Sequence, residues 1–120
     1  MEGTIYISGK ITGVKDLNRD KFSLAEKKFK DLGYVVINPH KIKLRKGQQS
    51  SWKNYMINDI AVLLKYCDKV AVLDDWADSK GATTEIFLAQ QFGIEVIYAE
   101  TLKPFNRKLS LTSSVDLRDG

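Results

Sequence analysis

Four short β-rich runs, separated by stretches with helical spacing, restrict this chain to a small set of folds. Thr4-Ile5-Tyr6-Ile7-Ser8 is the first run and reads as a strand that ends at Gly9. From Asn18 to Leu32 the apolar residues Phe22, Ala25, Phe29 and Leu32 recur every three or four positions, which predicts an amphipathic helix. Gly33 follows where a left-handed helix cap is expected. Tyr34 to Ile37 reads as a second strand, a continuous apolar run of the kind buried on both faces. It stops at Asn38-Pro39, because proline cannot donate to a sheet ladder. After a long polar loop, Trp52, Met56, Ile60, Leu63 and Cys67 stripe a second helix that begins at Ser51. Lys69 to Leu73 is the third strand. A third helix runs from near Gly81 to Phe92, Gly93 ends it, and Ile94 to Tyr98 is the fourth strand.

Strands alternating with helices predict an α/β domain of three layers, with helices on both faces of a small parallel sheet. The expected strand order is 2-1-3-4, flavodoxin-like or Rossmann-like, with room for a fifth strand. In such sheets ligands bind beyond the carboxyl ends of the strands, where the order reverses between strands 1 and 3. The polar and glycine-bearing segments Ser8 to Gly13, Asn38 to Ser51 and Asp74 to Gly81 all fall at that edge. Residues 1–100 form the expected domain. The tail 101–120 carries scattered apolar residues among Ser, Thr and basic ones, which leaves open packing on a partner subunit, an added edge strand or a mobile end.

Composition excludes several classes. A hydrophobic share of 43% is too high for general disorder, and 120 residues suit one domain. Ile60 to Leu64, among the longest apolar runs, is far short of the roughly 20 residues a membrane helix needs. No signal-peptide pattern opens the chain, and Cys67 is the only cysteine, so no internal disulfide can form and the cytoplasm is expected. His40 is the only histidine, which rules out two-histidine metal motifs, and neither a metal nor a cofactor is expected. No Gly-x-Ser-x-Gly elbow occurs. Chemistry must then rest on carboxylates, hydroxyls and backbone donors. The net charge of +4 gathers at Lys41, Lys43, Arg45 and Lys46, a loop that would attract phosphate but is equally well a solvated surface.

Two carboxylates stand in apolar company. Asp59 lies three residues after Met56 and four before Leu63, beside the stripe of the second helix, where it either borders a cavity or pairs structurally. Glu85 sits in the early turns of the third helix. The positive helix N-terminus there favours an ionised carboxylate by about 0.3–1 kcal/mol, and an ionised carboxylate in a cleft is a usable nucleophile. An ordinary helix-stabilising glutamate fits the same position. Asp78-Ser79-Lys80-Gly81-Ala82 leads into that helix as a capping turn able to bind an anion. Ser8-Gly9-Lys10-Ile11-Thr12-Gly13 is a weaker phosphate-loop pattern and lacks the Walker order.

Taken together, Thr4-Ile5-Tyr6-Ile7-Ser8-Gly9-x-Ile11-Thr12-Gly13, Asn38-Pro39, Trp52-x-x-Tyr55-Met56-x-x-Asp59, Cys67-Asp68 and Trp76-x-x-Ser79-x-Gly81-Ala82-x-x-Glu85 resemble the DUF4406 family. That family is similar to nucleoside 2-deoxyribosyltransferases and to 2′-deoxynucleoside 5′-monophosphate N-glycosidases. The resemblance implies that Glu85 attacks the sugar C1′, that Tyr6 orients it, and that Asp59 contacts the sugar or protonates the departing base. It further implies substrate contacts at Ser8, Asn38, Trp76 and Asp78, a 5′-phosphate site at Ser79 and Gly81, and backbone donors at Gly9, Lys10, Ile11 and Thr12. Lys41, Lys43 and Arg45 would add to phosphate selection. The transferases also take a carboxylate from a neighbouring subunit's chain end, which Asp116, Asp119 or Gly120 would have to supply.

The function so implied is cleavage or exchange of the N-glycosidic bond of a (deoxy)nucleoside 5′-monophosphate. The alternative is non-catalytic binding of a nucleotide or nucleotide-sugar, and a nucleic-acid module is a weak third reading. A homodimer or higher homo-oligomer is expected, with the second helix as interface, and no membrane partner.

Overall fold

The computed structural model describes residues 2–110. At its centre β1 (Thr4–Ser8) runs parallel to β2 (Val35–Ile37) on one side and β3 (Lys69–Val72) on the other, with β4 (Glu95–Tyr98) outside β3. The order is therefore 2-1-3-4, the flavodoxin-like arrangement expected. In register, Tyr6 lies opposite Ile37 and Val70, and Ser8 opposite Val72.

Alternation along β1 assigns the layers. Ile5 and Ile7 point to one face, where they pack with Ala71, Leu73 and Ile97 against Phe22, Ala25 and Phe29 of α1 (Arg19–Asp31). Phe22 and Phe29 are wholly buried, and each such ring stabilises the fold by about 1.5–3 kcal/mol. Tyr6 points to the other face, among Leu63 and Cys67 at the end of α2 (Trp52–Tyr66) and Ile86 and Ala89 of α3 (Lys80–Gln91). Burial pushes the Cys67 thiol up to about 12, so it is an inert core residue.

Three expectations change. Leu32 is exposed rather than part of the α1 stripe, because the chain turns away at Gly33 with φ +99°. β2 is not buried on both faces: it is an edge strand, and Val35 is 46% exposed. No regular fifth strand forms within 101–110. The chain doubles back along β4, where Phe105 N–H donates to the Val96 carbonyl (2.8 Å) and Tyr98 N–H to that of Lys103 (2.9 Å). Only Pro104 makes a bridge there, antiparallel to Ile97, and a proline cannot extend a ladder. This segment packs on its own chain, with Leu109 N–H held by Gln90 Oε1 at 2.9 Å. Residues 111–120, including Asp116, Asp119 and Gly120, lie outside the described residues.

Candidate active site

The even residues of β1 lie beneath α3, and they determine what surrounds Glu85. Tyr6 Oη donates to Glu85 Oε2 at 2.6 Å and Ser8 Oγ donates to Oε1 at 2.7 Å. Both donors are fully buried and Glu85 is 4% exposed. Burial outweighs the two hydroxyls, the charge of Asp59 adds to it, and the Glu85 carboxyl is pushed up to about 8. This corrects the expectation of an ionised side chain held by the helix N-terminus. Glu85 is the sixth residue of α3, beyond the turn where the helix field acts. Burial and the Glu85 charge also push the Tyr6 phenol well above its usual value, so it remains a donor.

Asp59 joins this group from α2. It is 7% exposed, burial pushes it up to about 7, and its Oδ1 has no hydrogen-bond partner. Asp59 and Glu85 share a pocket of about 980 Å³ at the carboxyl edge of the sheet. Gly9, Lys10, Ile11 and Thr12 line it from the loop after β1, and Asp78, Ser79 and Gly81 from the start of α3. Ser79 caps α3, its Oγ accepting from Ala82 N–H at 3.0 Å. A Cβ at Gly81 would lie 3.3 Å from Met56 Sδ, so this glycine lets α2 and α3 close on each other. One at Gly9 would lie 2.6 Å from Leu73 Cδ1, which keeps the first loop against the sheet end.

That loop is fixed by charge. Lys10 N–H donates to Asp75 Oδ1 at 2.9 Å, and the Asn18 amide bridges the Lys10 carbonyl and Asp75 Oδ2. Burial alone would raise the Asp75 carboxyl, but Lys10 N–H, Lys21 and Asn18 together hold it below its usual value. Lys10 also forms an ion pair with Asp78 across the pocket. The turn that follows has Asp16, Leu17 and Asn18 at φ 52°, 52° and 63°. Left-handed backbone costs about 1–2 kcal/mol per non-glycine residue, and here it brings Leu17 and Arg19 to the pocket wall.

Other predicted contacts are not where the sequence suggested. Asn38 is buried away from the pocket, its amide donating to Glu26 Oε1 at 3.0 Å and its Oδ1 accepting from His40 N–H. Trp76 packs edge-on against Phe105, centroids 5.0 Å apart, with Arg107 over its ring. Ser8 grips Glu85 and does not reach the pocket surface, and the Lys10 N–H is already taken by Asp75. The basic loop contributes little: Lys41 binds Glu26 at 2.8 Å, and none of Lys41, Lys43, Arg45 and Lys46 lines the pocket. The cations that do are Lys10, Arg19 and Lys80. Arg19, His40, Trp52, Tyr55 and Lys80 are lining residues that sequence reasoning missed as site residues. The Trp52-x-x-Tyr55-x-x-x-Asp59 spacing, which repeats one helix face, is the signal that could have found the aromatic pair. Among the described residues no cluster of three His, Cys, Asp or Glu side chains could hold a metal.

No curated protein matches this sequence. The structure is similar to that of a 2-deoxyribosyltransferase from the psychrotolerant bacterium Bacillus psychrosaccharolyticus, with a TM-score of 0.62 over 90% of this chain and 77% of that one. At 22% identity the likeness is one of fold. A family described as a domain of unknown function, DUF4406, matches residues 3–98, and the chain belongs to that family.

Proposed function

We propose that this protein is a nucleoside 2-deoxyribosyltransferase-like enzyme that breaks the N-glycosidic bond of a deoxynucleoside 5′-monophosphate. One observation carries the reading: a carboxylate gripped by two buried hydroxyls faces a pocket beside a second carboxyl with an unpartnered oxygen. In the proposed reaction Glu85 forms a bond to C1′ as the C1′–N bond breaks, through an oxocarbenium-like state. The electron pair of that bond passes to the base nitrogen, which takes its proton from Asp59. Water, or the nitrogen of a second base, then bonds to C1′ as the C1′–Glu85 bond breaks, the electron pair returning to the Glu85 carboxylate and the nucleophile's proton passing to Asp59. Ser79 and the N-terminal N–H groups of α3 would hold the 5′-phosphate.

Glu85 and Asp59, pushed up to about 8 and about 7, titrate as a pair that shares one proton between those values. In the free protein Glu85 is the higher of the two with its hydroxyl bonds included; a substrate that covers Asp59 desolvates that carboxyl further while the already buried Glu85 changes little, which moves the shared proton to Asp59. Below this window the nucleophile is neutral, and above it the acid is lost. Turnover should therefore be bell-shaped and greatest near pH 7–8, measured as kcat/KM against pH.

The deciding experiment incubates the protein and its Glu85→Gln variant with a panel of deoxynucleosides and their monophosphates, and follows base release by chromatography and mass spectrometry. Release by the native protein alone is expected; no release from any member of the panel overturns the reading. A second reading, binding without turnover, is favoured by one observation: burial pushes the Glu85 carboxyl up to about 8, towards the neutral form that cannot attack C1′. It predicts stoichiometric ligand capture with the bond intact. The assembly proposed with either reading is a homo-oligomer through α2, whose Trp52, Tyr55 and Tyr66 are exposed; a monomer by light scattering would overturn that part.

A further inference from the structure

From Pro39 to Asn58 the chain holds five lysines and arginines and no acid, while the rest carries 14 Lys and Arg against 15 Asp and Glu. The whole positive excess therefore lies in one segment. Lys41 pairs with Glu26. Among the described residues the other four, Lys43, Arg45, Lys46 and Lys53, are exposed and form no ion pair. None of them lines the pocket, so the reaction proposed above leaves them without a part.

The fold nevertheless holds these cations in place. Arg45 N–H donates to Gln48 Oε1 at 2.5 Å and Gln48 N–H to the Arg45 carbonyl at 3.0 Å, closing a turn at Gly47, whose φ is +89°. The Gln48 amide and Asn58 of α2 exchange two hydrogen bonds, at 3.1 and 2.8 Å, and the Asn58 amide also donates to the Lys43 carbonyl at 3.3 Å. Asn54 Nδ2 donates to the Gln49 carbonyl at 2.8 Å. Polar bonds thus lay the turn along α2, with Lys53 beside it in the first turn of the helix. Cations one or two residues apart stand within the Debye length of about 8 Å and repel one another. A clasp that orders them against that repulsion prepares a surface for a polyanion, which then binds without first having to fix the loop.

Aromatic side chains decide which polyanion. Trp52 and Tyr55, on either side of Lys53, are exposed at the same end of α2, and Lys80 Nζ lies 4.7 Å from the Trp52 ring centroid. Exposed rings among cations suit unpaired bases, which stack on the rings while phosphates meet the charges. A duplex keeps its base faces stacked on each other, and an acidic side chain has no flat face to offer. We propose that the 43–53 edge binds single-stranded nucleic acid, its backbone along Lys43, Arg45, Lys46 and Lys53 and a base on Trp52. Ser50, Ser51, Trp52 and Tyr55 also line the pocket, so the strand lies on its rim. A second copy of this chain fits the edge less well, since a two-fold contact would set the cations against themselves. The surface binds whether or not Glu85 breaks a bond.

The test follows the fluorescence anisotropy of a labelled oligothymidylate of about 12 nucleotides as the full chain is added, in salt from about 50 to about 200 mM. Four phosphate contacts on a single strand predict that log K falls against log salt with a slope of about 3, a loss of about 50-fold over this range. Replacing all four cations (Lys43→Gln, Arg45→Gln, Lys46→Gln and Lys53→Gln) should remove most of the slope, and each change alone should reduce it by about 0.7. Trp52→Ala should weaken binding about 10-fold with the slope unchanged, while Trp52→Phe keeps most of the affinity. The substituted side chains are exposed, and the single changes serve if the fourfold variant does not fold. Absence of binding in the lowest salt overturns the proposal, and so does an affinity that the cation substitutions leave unchanged. A duplex that binds more tightly than the single strand overturns it as well. Polyglutamate binding as tightly as the strand, with no loss in Trp52→Ala, would assign the edge to acidic proteins instead. Each of these results leaves the reaction at Glu85 standing, because base release from a monophosphate is measured separately.

Discussion

Glu26 and Glu85 are both buried glutamates on helices, 7% and 4% exposed, yet their surroundings drive them in opposite directions. Burial raises both. At Glu26 it is overcome by hydrogen bonds from Lys30 (2.5 Å), Lys41 (2.8 Å) and Asn38 (3.0 Å), which bring the carboxyl down to about 2. At Glu85 the partners are two neutral hydroxyls and another acid, so burial wins and the carboxyl rises to about 8. A buried acid paired with cations ties α1 to the loop after β2. A buried acid without cations is costly to ionise, and no cation neutralises its charge once it forms beside a cationic reaction centre.

The largest expected effect comes from removing that charge. Glu85→Gln should lower turnover by about 1000-fold or more, about 4 kcal/mol of barrier. Its stability should move the other way. Because the folded pKa lies above the usual 4.5, the unfolded chain binds fewer protons in between. The wild-type contribution is thus fully present below about pH 4.5 and is lost as pH rises through about 8. The glutamine protein should therefore melt above the wild type at pH 8, with the difference closing towards pH 5. Equal melting curves throughout would mean that Glu85 is not held as a raised acid.

Tyr6→Phe is the next largest. Removing a hydrogen bond to a charged acceptor costs about 1.5–3 kcal/mol, which predicts a 10- to 100-fold fall in turnover. The Tyr6 bond lowers the Glu85 pKa, the higher of the pair in the free protein, so without it the falling limb of the kcat/KM profile should move to higher pH. An unmoved limb would detach Tyr6 from the titration.

Glu26→Gln sharpens the contrast from the other side. It should cost about 1–2 kcal/mol in stability at neutral pH, since a charged acceptor becomes neutral, and leave kcat/KM unchanged. Here the folded pKa is below the usual value, so the contribution is present above about 4.5 and lost as pH falls towards 2. Urea titrations of the two proteins should converge as pH falls through that range.

The two glutamates also mark what was legible in the sequence. Strand and helix periods gave the sheet order, and the pattern around Tyr6, Asp59 and Glu85 put three distant segments at one edge. Tyr6 and Glu85 stand 79 positions apart and meet because β1 and α3 stack. The ionisation of Glu85 was misread because helix position is a local property, while its burial depends on Tyr6 and Ser8 beneath it. Asn38 was misassigned because nothing local shows that Glu26, set among Lys27, Lys28 and Lys30, is buried and takes the amide. Trp76 was lost to Phe105 and Arg107, which return from beyond the last strand. His40 had no pattern to announce it, since a single histidine carries no spacing.

The smallest effect tests the phosphate end of the pocket. Ser79→Ala removes the side-chain cap on Ala82 N–H, which should cost about 1 kcal/mol of stability, close to that of Glu26→Gln but without its pH dependence. A cap alone predicts nothing more. If Ser79 also holds a 5′-phosphate, KM for a deoxynucleoside monophosphate should rise about 10-fold, the low end for one hydrogen bond to a charged group, while the matching unphosphorylated nucleoside is unaffected. Gly is nearly as good a cap as Ser but has no hydroxyl, so Ser79→Gly separates the two roles. It should restore most of the melting temperature and none of the phosphate preference. Recovery of both would reduce Ser79 to a helix cap and move the phosphate to Lys10, Arg19 or Lys80.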